Sequence, residues 1–115
     1  MVNADDSDPG ANKGLLDMPL EEAIRKLTFV PASLFGFSDR GLVRPGMAAD
    51  LMVFDPTTIA PLEPGVAQDL PGGAKRRKQL AQGIEWTVVN GQVLMEHGQH
   101  TGVYPGKVAR SGAAQ

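Results

Sequence analysis

Glu85-Trp86-Thr87-Val88-Val89-Asn90-Gly91-Gln92-Val93-Leu94-Met95-Glu96 is the stretch whose reading decides the fold. Two runs rich in β-branched and other apolar residues flank Asn-Gly, the dipeptide preferred at the centre of a type I′ turn. Such a turn sets the register as well as the reversal. It places Val88 opposite Val93 and Trp86 opposite Met95, and the expectation is that these four share one face as a core cluster.

Upstream, Leu51-Met52-Val53-Phe54 lies within Asp50–Asp55 and is apolar at every position. That pattern predicts a short strand buried on both faces, ended by Pro56. Arg44-Pro45-Gly46-Met47 fits a type II turn, with Gly46 supplying the positive φ. Between strand and hairpin, Pro61, Pro64, Pro71 and Gly72-Gly73 mark 60–83 as a Pro/Gly-rich loop, with a basic, helix-compatible patch from Lys75 to Leu80. Nearer the start, Leu20, Ala23, Ile24 and Leu27 recur at i, i+3, i+4 and i+7, the stripe of an amphipathic helix. Asp17 is its expected N-cap and Pro19 sits in the first turn. Pro31 disfavours helical geometry at Val30, so the helix is expected to stop near Thr28 or Phe29. A single-turn helix from Pro31 to Phe35 follows, closed by Gly36 in the left-handed region. From His97 onward the chain reads as extended, and no internal repeat is visible.

These elements make the chain α+β. One or two short N-terminal helices precede a short-stranded, β-rich part. Its 115 residues suit one domain, and 14 glycines with 9 prolines, a fifth of the chain, keep every element short. The expected segments are a flexible acidic lead-in at 1–16, a helical segment at 17–37, and a β part at 38–115 that contains the 60–83 loop. With 13 acidic and 11 basic residues the net charge is -2, which argues against a nucleic-acid partner. There is no cysteine, hence no disulfide or thiolate chemistry, in keeping with a cytoplasmic setting. The acidic start, with Asp5, Asp6 and Asp8, is unlike a signal peptide, and no apolar run approaches the ~20 residues that span a bilayer.

Four blocks, in order, resemble the C-terminal end of amidohydrolase-superfamily enzymes. Leu20-Glu21-Glu22-Ala23-Ile24-Arg25-Lys26-Leu27-Thr28 with Pro31-Ala32 is similar to the last barrel helix and the "T-x-x-PA" segment that leaves the barrel. Asp39-Arg40-Gly41-Leu42-Val43-Arg44-Pro45-Gly46-Met47-Ala48-Ala49-Asp50-Leu51-Met52-Val53-Phe54-Asp55 resembles "G-x-x-x-x-G-x-x-ADLVVFD". Val88-Val89-Asn90-Gly91-Gln92-Val93 resembles "VNG-x-V". Gly98 to Arg110 is similar to the "G-x-x-TG-x-x-PG-x-x-x-R" ending of the D-aminoacylase group, the N-acyl-D-amino-acid deacylases, and Pro71-Gly72-Gly73-Ala74-Lys75-Arg76 fits a segment of some members. The resemblance covers roughly residues 15 to 112. It implies a parent enzyme with a (β/α)8 barrel that holds zinc and a catalytic aspartate. A small β-sandwich beside the barrel would include this β part as one half. It also implies hydrolysis of N-acyl-D-amino acids by a metal-activated water, since zinc lowers the pKa of its bound water to about 7.

The residues that would carry that chemistry are not assigned in this chain: no catalytic, cofactor-binding or metal-ligating position is expected, and zinc belongs to the parent family. His97 and His100 form an H-x-x-H pair. The resemblance puts His100 in the tail block, outside the zinc-ligand positions, and a zinc site needs three or four convergent ligands. Ser7-Asp8-Pro9-Gly10-Ala11 looks like the "SD-x-G" setting of the catalytic aspartate, but lies too few residues before the helix and reads as acidic terminus. Lys75-Arg76-Arg77-Lys78 reads as a solvated face rather than an anion site. Trp86 reads as core rather than a ligand-stacking surface. The expected partner is the missing barrel portion or a second copy of the chain. The competing reading is a free-standing β-rich oligomerisation module, because unpaired strand edges recruit other chains.

Overall fold

The structure, a computed structural model, describes residues 18–112 and is α+β. Two compact units divide it: one runs up to Met47 and resumes from Ala109, the other is Ala48–Val108.

The first unit holds helices α1 (Leu20–Leu27) and α2 (Phe29–Leu34). The apolar periodicity located α1, but its start differs from the expectation. Asp17 lies outside the described residues, and the cap falls on Pro19, with no side-chain cap bond. The Pro19 carbonyl instead accepts from the Glu22 and Ala23 N–H groups, each at 3.1 Å. The helices break at Thr28 (φ -123, ψ -75), whose hydroxyl donates back to the Ile24 carbonyl at 2.7 Å. Val30 is therefore helical, contrary to the expectation drawn from Pro31. The reason is positional: the first i→i−4 bond of α2 is donated by Ala32 to Thr28, so the N–H that proline lacks has no partner to lose. Gly36 closes α2 at φ 78 as expected, and the Phe37 N–H reaches the Ala32 carbonyl at 2.8 Å. The loop beyond then presses on the start of α2. A Cβ on Gly41 (φ 95) would stand 2.9 Å from Ala32 Cβ and 3.0 Å from Phe29 Cα, so only glycine fits. The turn at Arg44–Met47 is closed by Met47 N–H to Arg44 carbonyl at 3.3 Å, with Gly46 at φ 88.

The second unit is built on β1 (Leu51–Phe54), β6 (Ile84–Val89), β7 (Gln92–Glu96) and β8 (Gln99–His100), an antiparallel sheet in the order β1-β6-β7-β8. Asn90 (φ 47) and Gly91 (φ 77) make the expected type I′ turn. His97 (φ 47) and Gly98 (φ 81) make a second two-residue turn of the same kind, joining β7 to β8 where an extended tail was expected. The register agrees next to the first turn, where Val88 faces Val93, and then departs: Thr87 faces Met95 and Trp86 faces Glu96. Leu94 is the extra residue of a β-bulge, which shifts every pair beyond it by one.

The segment 60–83, expected as a loop, is a stepped antiparallel arm. Strands β2 (Ala60–Pro61) and β5 (Ala81–Gln82) pair at its base, and β3 (Gly65–Ala67) and β4 (Arg76–Lys78) pair further out. The basic patch is thus part of a strand, not a helix. A 3-10 turn at Pro71–Gly73 caps the tip.

No described residue is fully buried. Strand β1, expected to be covered on both faces, has only Phe54 half-buried. The pairings put Leu51, Val53, Trp86, Val88 and Val93 on one face, and Leu51, Val53, Trp86 and Val93 are each 36–45% exposed. Of the four residues expected as a core cluster, Trp86, Val88 and Val93 lie in this row, and Met95, opposite Thr87, lies on the other face. Periodicity shows which residues share a face but not what covers it.

Two glycine variants separate backbone conformation from close packing. Gly91→Ala keeps open space around the new methyl and should cost only the left-handed conformation, about 1–2 kcal/mol. Gly41→Ala adds contact with Ala32 and Phe29, so its urea midpoint should fall clearly below that of Gly91→Ala. Equal midpoints would contradict the close approach.

Candidate functional site

Of the residues singled out from the sequence, Trp86 and His97 meet, while His100 has other partners. His97, in the second turn, has Nδ1 2.7 Å from Glu85 Oε2, its ring is tilted against Trp86 at 5.0 Å, and its N–H donates to the Glu85 carbonyl. A bulge explains why Glu85 is available there. It is the extra residue between the Val53–Trp86 and Phe54–Ile84 pairs. Trp86 is thus a partly exposed platform for His97, not a core residue. His100, on β8, accepts the Gly102 N–H on Nδ1 at 2.8 Å and lies 4.8 Å from the Tyr104 ring. The two histidines have separate partners, and among the described residues no three His, Cys, Asp or Glu side chains converge as metal ligands. This donor set does not fit a zinc centre. Ser7 and Asp8 lie outside the described residues.

On the arm, the basic run resolves into unequal parts. Arg76 grips Asp69 through two guanidinium bonds, Nε to Oδ1 and Nη2 to Oδ2, both 2.6 Å. Lys75, Arg77 and Lys78 are exposed. The Arg76 guanidinium holds the Asp69 carboxyl below its ordinary 3.8. Other side-chain ties of the arm run to backbone, from Gln68 to the Gly73 carbonyl, from Gln79 to the Leu62 carbonyl and from Gln82 to the Thr58 carbonyl.

The residues that the sequence motifs share converge at one corner of the sheet. Asp50 Oδ1 accepts the Asn90 N–H at 2.8 Å, and the Ala49 carbonyl accepts the Gly91 N–H at 3.0 Å. Asn90 Nδ2 donates to the Pro105 carbonyl at 2.8 Å, a part-buried bond. Thr101 Oγ1 donates to the Val93 carbonyl at 2.6 Å, stitching the start of the tail to β7. The Ala-Asp, Asn-Gly, Thr-Gly and Pro-Gly signatures are therefore parts of one structural lock. Their order is legible in the sequence but their meeting is not, because the Asn90–Asp50 bond alone joins residues 40 positions apart. In the helical unit, a cleft of about 240 Å³ is lined by residues from Phe29 to Met47, Arg40 and Arg44 among them. Nothing in the sequence pointed to it, although Arg40, Leu42, Arg44 and Met47 belong to the second motif block. No described helix is long and apolar enough to cross a membrane.

Comparison with known proteins matches residues 14–95 to the amidohydrolase family. A D-aminoacylase of Alcaligenes xylosoxydans xylosoxydans is 34% identical over 96 residues, which is 84% of this chain and 18% of the relative. An N-acyl-D-aspartate deacylase of the same organism is 36% identical over 98 residues, with the same two shares, 84% and 18%. A dihydroorotase of Pelotomaculum thermopropionicum is 32% identical over 76 residues, 65% of this chain and 18% of the relative. The chain thus spans under a fifth of the length of these relatives. No solved structure matches it.

Replacing Asn90 by Asp keeps a residue that tolerates the turn but removes the amide that holds Pro105. Amides of 99–108 should then exchange faster in hydrogen-exchange mass spectrometry while those of 84–96 hold. Unchanged protection of the tail would contradict the lock. For the arm, the sign follows from the lowered Asp69 value. Its contribution is present above the unfolded carboxylate pKa and is lost as pH falls through the folded one. Amide protection of 65–78 should therefore drop on acidification below 3.8. In Asp69→Asn it should already be reduced at neutral pH and change little with acid; an arm with wild-type protection in that variant would sink the assignment.

Proposed function

The chain belongs to the amidohydrolase family, and from that premise we propose that it is the C-terminal portion of a D-aminoacylase-like, metal-dependent amidohydrolase. The whole enzyme hydrolyses the amide of N-acyl-D-amino acids in the cytoplasm. This portion by itself is catalytically silent. The observation that carries the reading is the pairing of a match to 84% of the chain with only 18% of each deacylase. The zinc ligands and the catalytic aspartate then reside in the four-fifths of such an enzyme that this chain does not span. The described residues offer no donor cluster that would hold the metal, and no catalytic step is drawn through it.

On this reading α1 and α2 are the last barrel helix and the segment leaving the barrel, and the four-stranded sheet is one half of a sandwich. The open row at Leu51, Val53, Trp86 and Val93 supports it, because a sheet with an apolar face is stable only when that face is covered. The barrel portion, or a second copy, supplies the cover. The same exposed row favours the second reading, a free-standing β-rich oligomerisation module, in which only a second copy does so.

Co-expression separates the two. The chain alone should release no amino acid from N-acyl-D-amino acids, with or without added zinc. Expressed with a complementary barrel portion and zinc, it should co-purify and restore deacylation. A chain that assembles only with itself, and restores nothing, would favour the module.

A further inference from the structure

Asn90-Gly91 is the one Asn-Gly pair in the chain; Asn3 precedes Ala4 and Asn12 precedes Lys13. The pair is a reactive sequence as well as a turn. A backbone nitrogen that follows asparagine can attack its side-chain carbonyl carbon, and glycine, without a Cβ, hinders that ring closure least. Around Gly91 the way is open. The residue is exposed, and no atom beyond its chain neighbours lies within 4 Å of where a Cβ would stand. Both groups that must react are nevertheless engaged. The Gly91 N–H, which has to give up its proton, donates to the Ala49 carbonyl at 3.0 Å. The Asn90 Nδ2, which has to leave, donates to the Pro105 carbonyl at 2.8 Å in a part-buried bond. All of these residues belong to the Ala48–Val108 unit.

We propose that Asn90 is a deamidation site whose chemistry is gated by the lock it forms. Hydroxide takes the Gly91 amide proton, and the electron pair left on nitrogen forms a bond to Asn90 Cγ. The Cγ–Nδ2 bond then breaks, and Nδ2 departs as ammonia with a proton from water, which regenerates hydroxide and leaves a cyclic succinimide. Water opens that ring at either carbonyl. Cleavage between nitrogen and Cγ gives aspartate; cleavage between nitrogen and the main-chain carbonyl carbon gives isoaspartate. Nothing is oxidised or reduced, and one water is consumed for each ammonia released. Loss of the Gly91 proton breaks the bond to Ala49, and departure of Nδ2 breaks the bond to Pro105. The reaction therefore proceeds from the opened corner, and its rate follows the population in which the corner is open. Either product makes the opening permanent. An ionised aspartate offers only acceptors to the Pro105 carbonyl. Isoaspartate lengthens the backbone of a two-residue turn whose length fixes the register. The proposal uses residues of this chain alone and does not rest on the family reading.

The test is peptide-mapping mass spectrometry of the whole chain during incubation in mildly alkaline buffer, with and without guanidinium chloride. Asn90 should convert at least about tenfold faster in the denaturant, where both hydrogen bonds are absent. Thr101→Val removes the hydroxyl that ties the start of the tail to the Val93 carbonyl and touches neither reacting group. It should raise conversion of the folded chain several-fold, while Thr101→Ser and Lys75→Gln leave it unchanged. Chain already converted, isolated by its added negative charge, should exchange amides of 99–108 faster than unconverted chain. If Thr101→Val does not fold, the wild-type comparison with and without denaturant decides alone. Equal rates in the two solvents, a folded Thr101→Val that converts as the wild type does, or a converted chain with full tail protection would each overturn the proposal.

Discussion

Asn90 satisfies three separate demands at once, and the rest of the sheet unit hangs on it. Its backbone occupies the left-handed conformation that reverses β6 into β7. Its N–H is fastened to Asp50 at the start of β1, and its amide holds the Pro105 carbonyl of the tail. Asparagine is suited to this because it tolerates positive φ and carries a donor on a short side chain. Glycine would keep the turn and lose the tether. Aspartate would lose the donor to Pro105. The motif residues that meet at this corner are thus accounted for by geometry.

That lock orders a sheet that does not finish its own core. A two-layer fold stabilises itself by removing apolar area from water, at roughly 25 cal/mol for each Å². Here Leu51, Val53, Trp86 and Val93 each retain more than a third of their exposure. The two-stranded arm is in the same position, with Val66 69% and Leu80 59% exposed, and an isolated hairpin is marginal in water. The described residues supply the hydrogen-bond pattern of the unit, but none of them is fully buried.

This division explains what could be read from the sequence. The Asn90-Gly91 turn, the closing Gly36, the type II turn and the periodic α1 stripe are local, set by residues at most a few positions apart. All of them appear in the structure. Reading failed where the deciding partner is remote. A bulge at Leu94 moved Trp86 from Met95 to Glu96. Pro61, Pro64 and Pro71 suggested a loop, yet the strands β2 to β5 place proline only at β2, in a two-residue step where one missing donor is tolerated. His97-Gly98 forms a second turn where an extended tail was expected, and the Glu85 and Trp86 contacts hold His97 there. The continuous apolar run of β1 signalled burial on both faces, yet Leu51, Met52 and Val53 are exposed. At the candidate site the motifs were legible one by one, but the corner lock they form was not, because its Asn90–Asp50 bond joins residues 40 positions apart.

On the proposed reading, the open face of the sheet is the surface on which the remainder of an amidohydrolase closes. Trp86 is the only tryptophan in the chain and sits in that face. Its fluorescence, recorded with a soluble quencher for the chain alone and for the chain assembled with the complementary barrel portion, reads the face directly. The account predicts long-wavelength, readily quenched emission from the isolated chain, moving to shorter wavelength and becoming protected on assembly. An assembled complex in which Trp86 emits and quenches as it does in the isolated chain would contradict it.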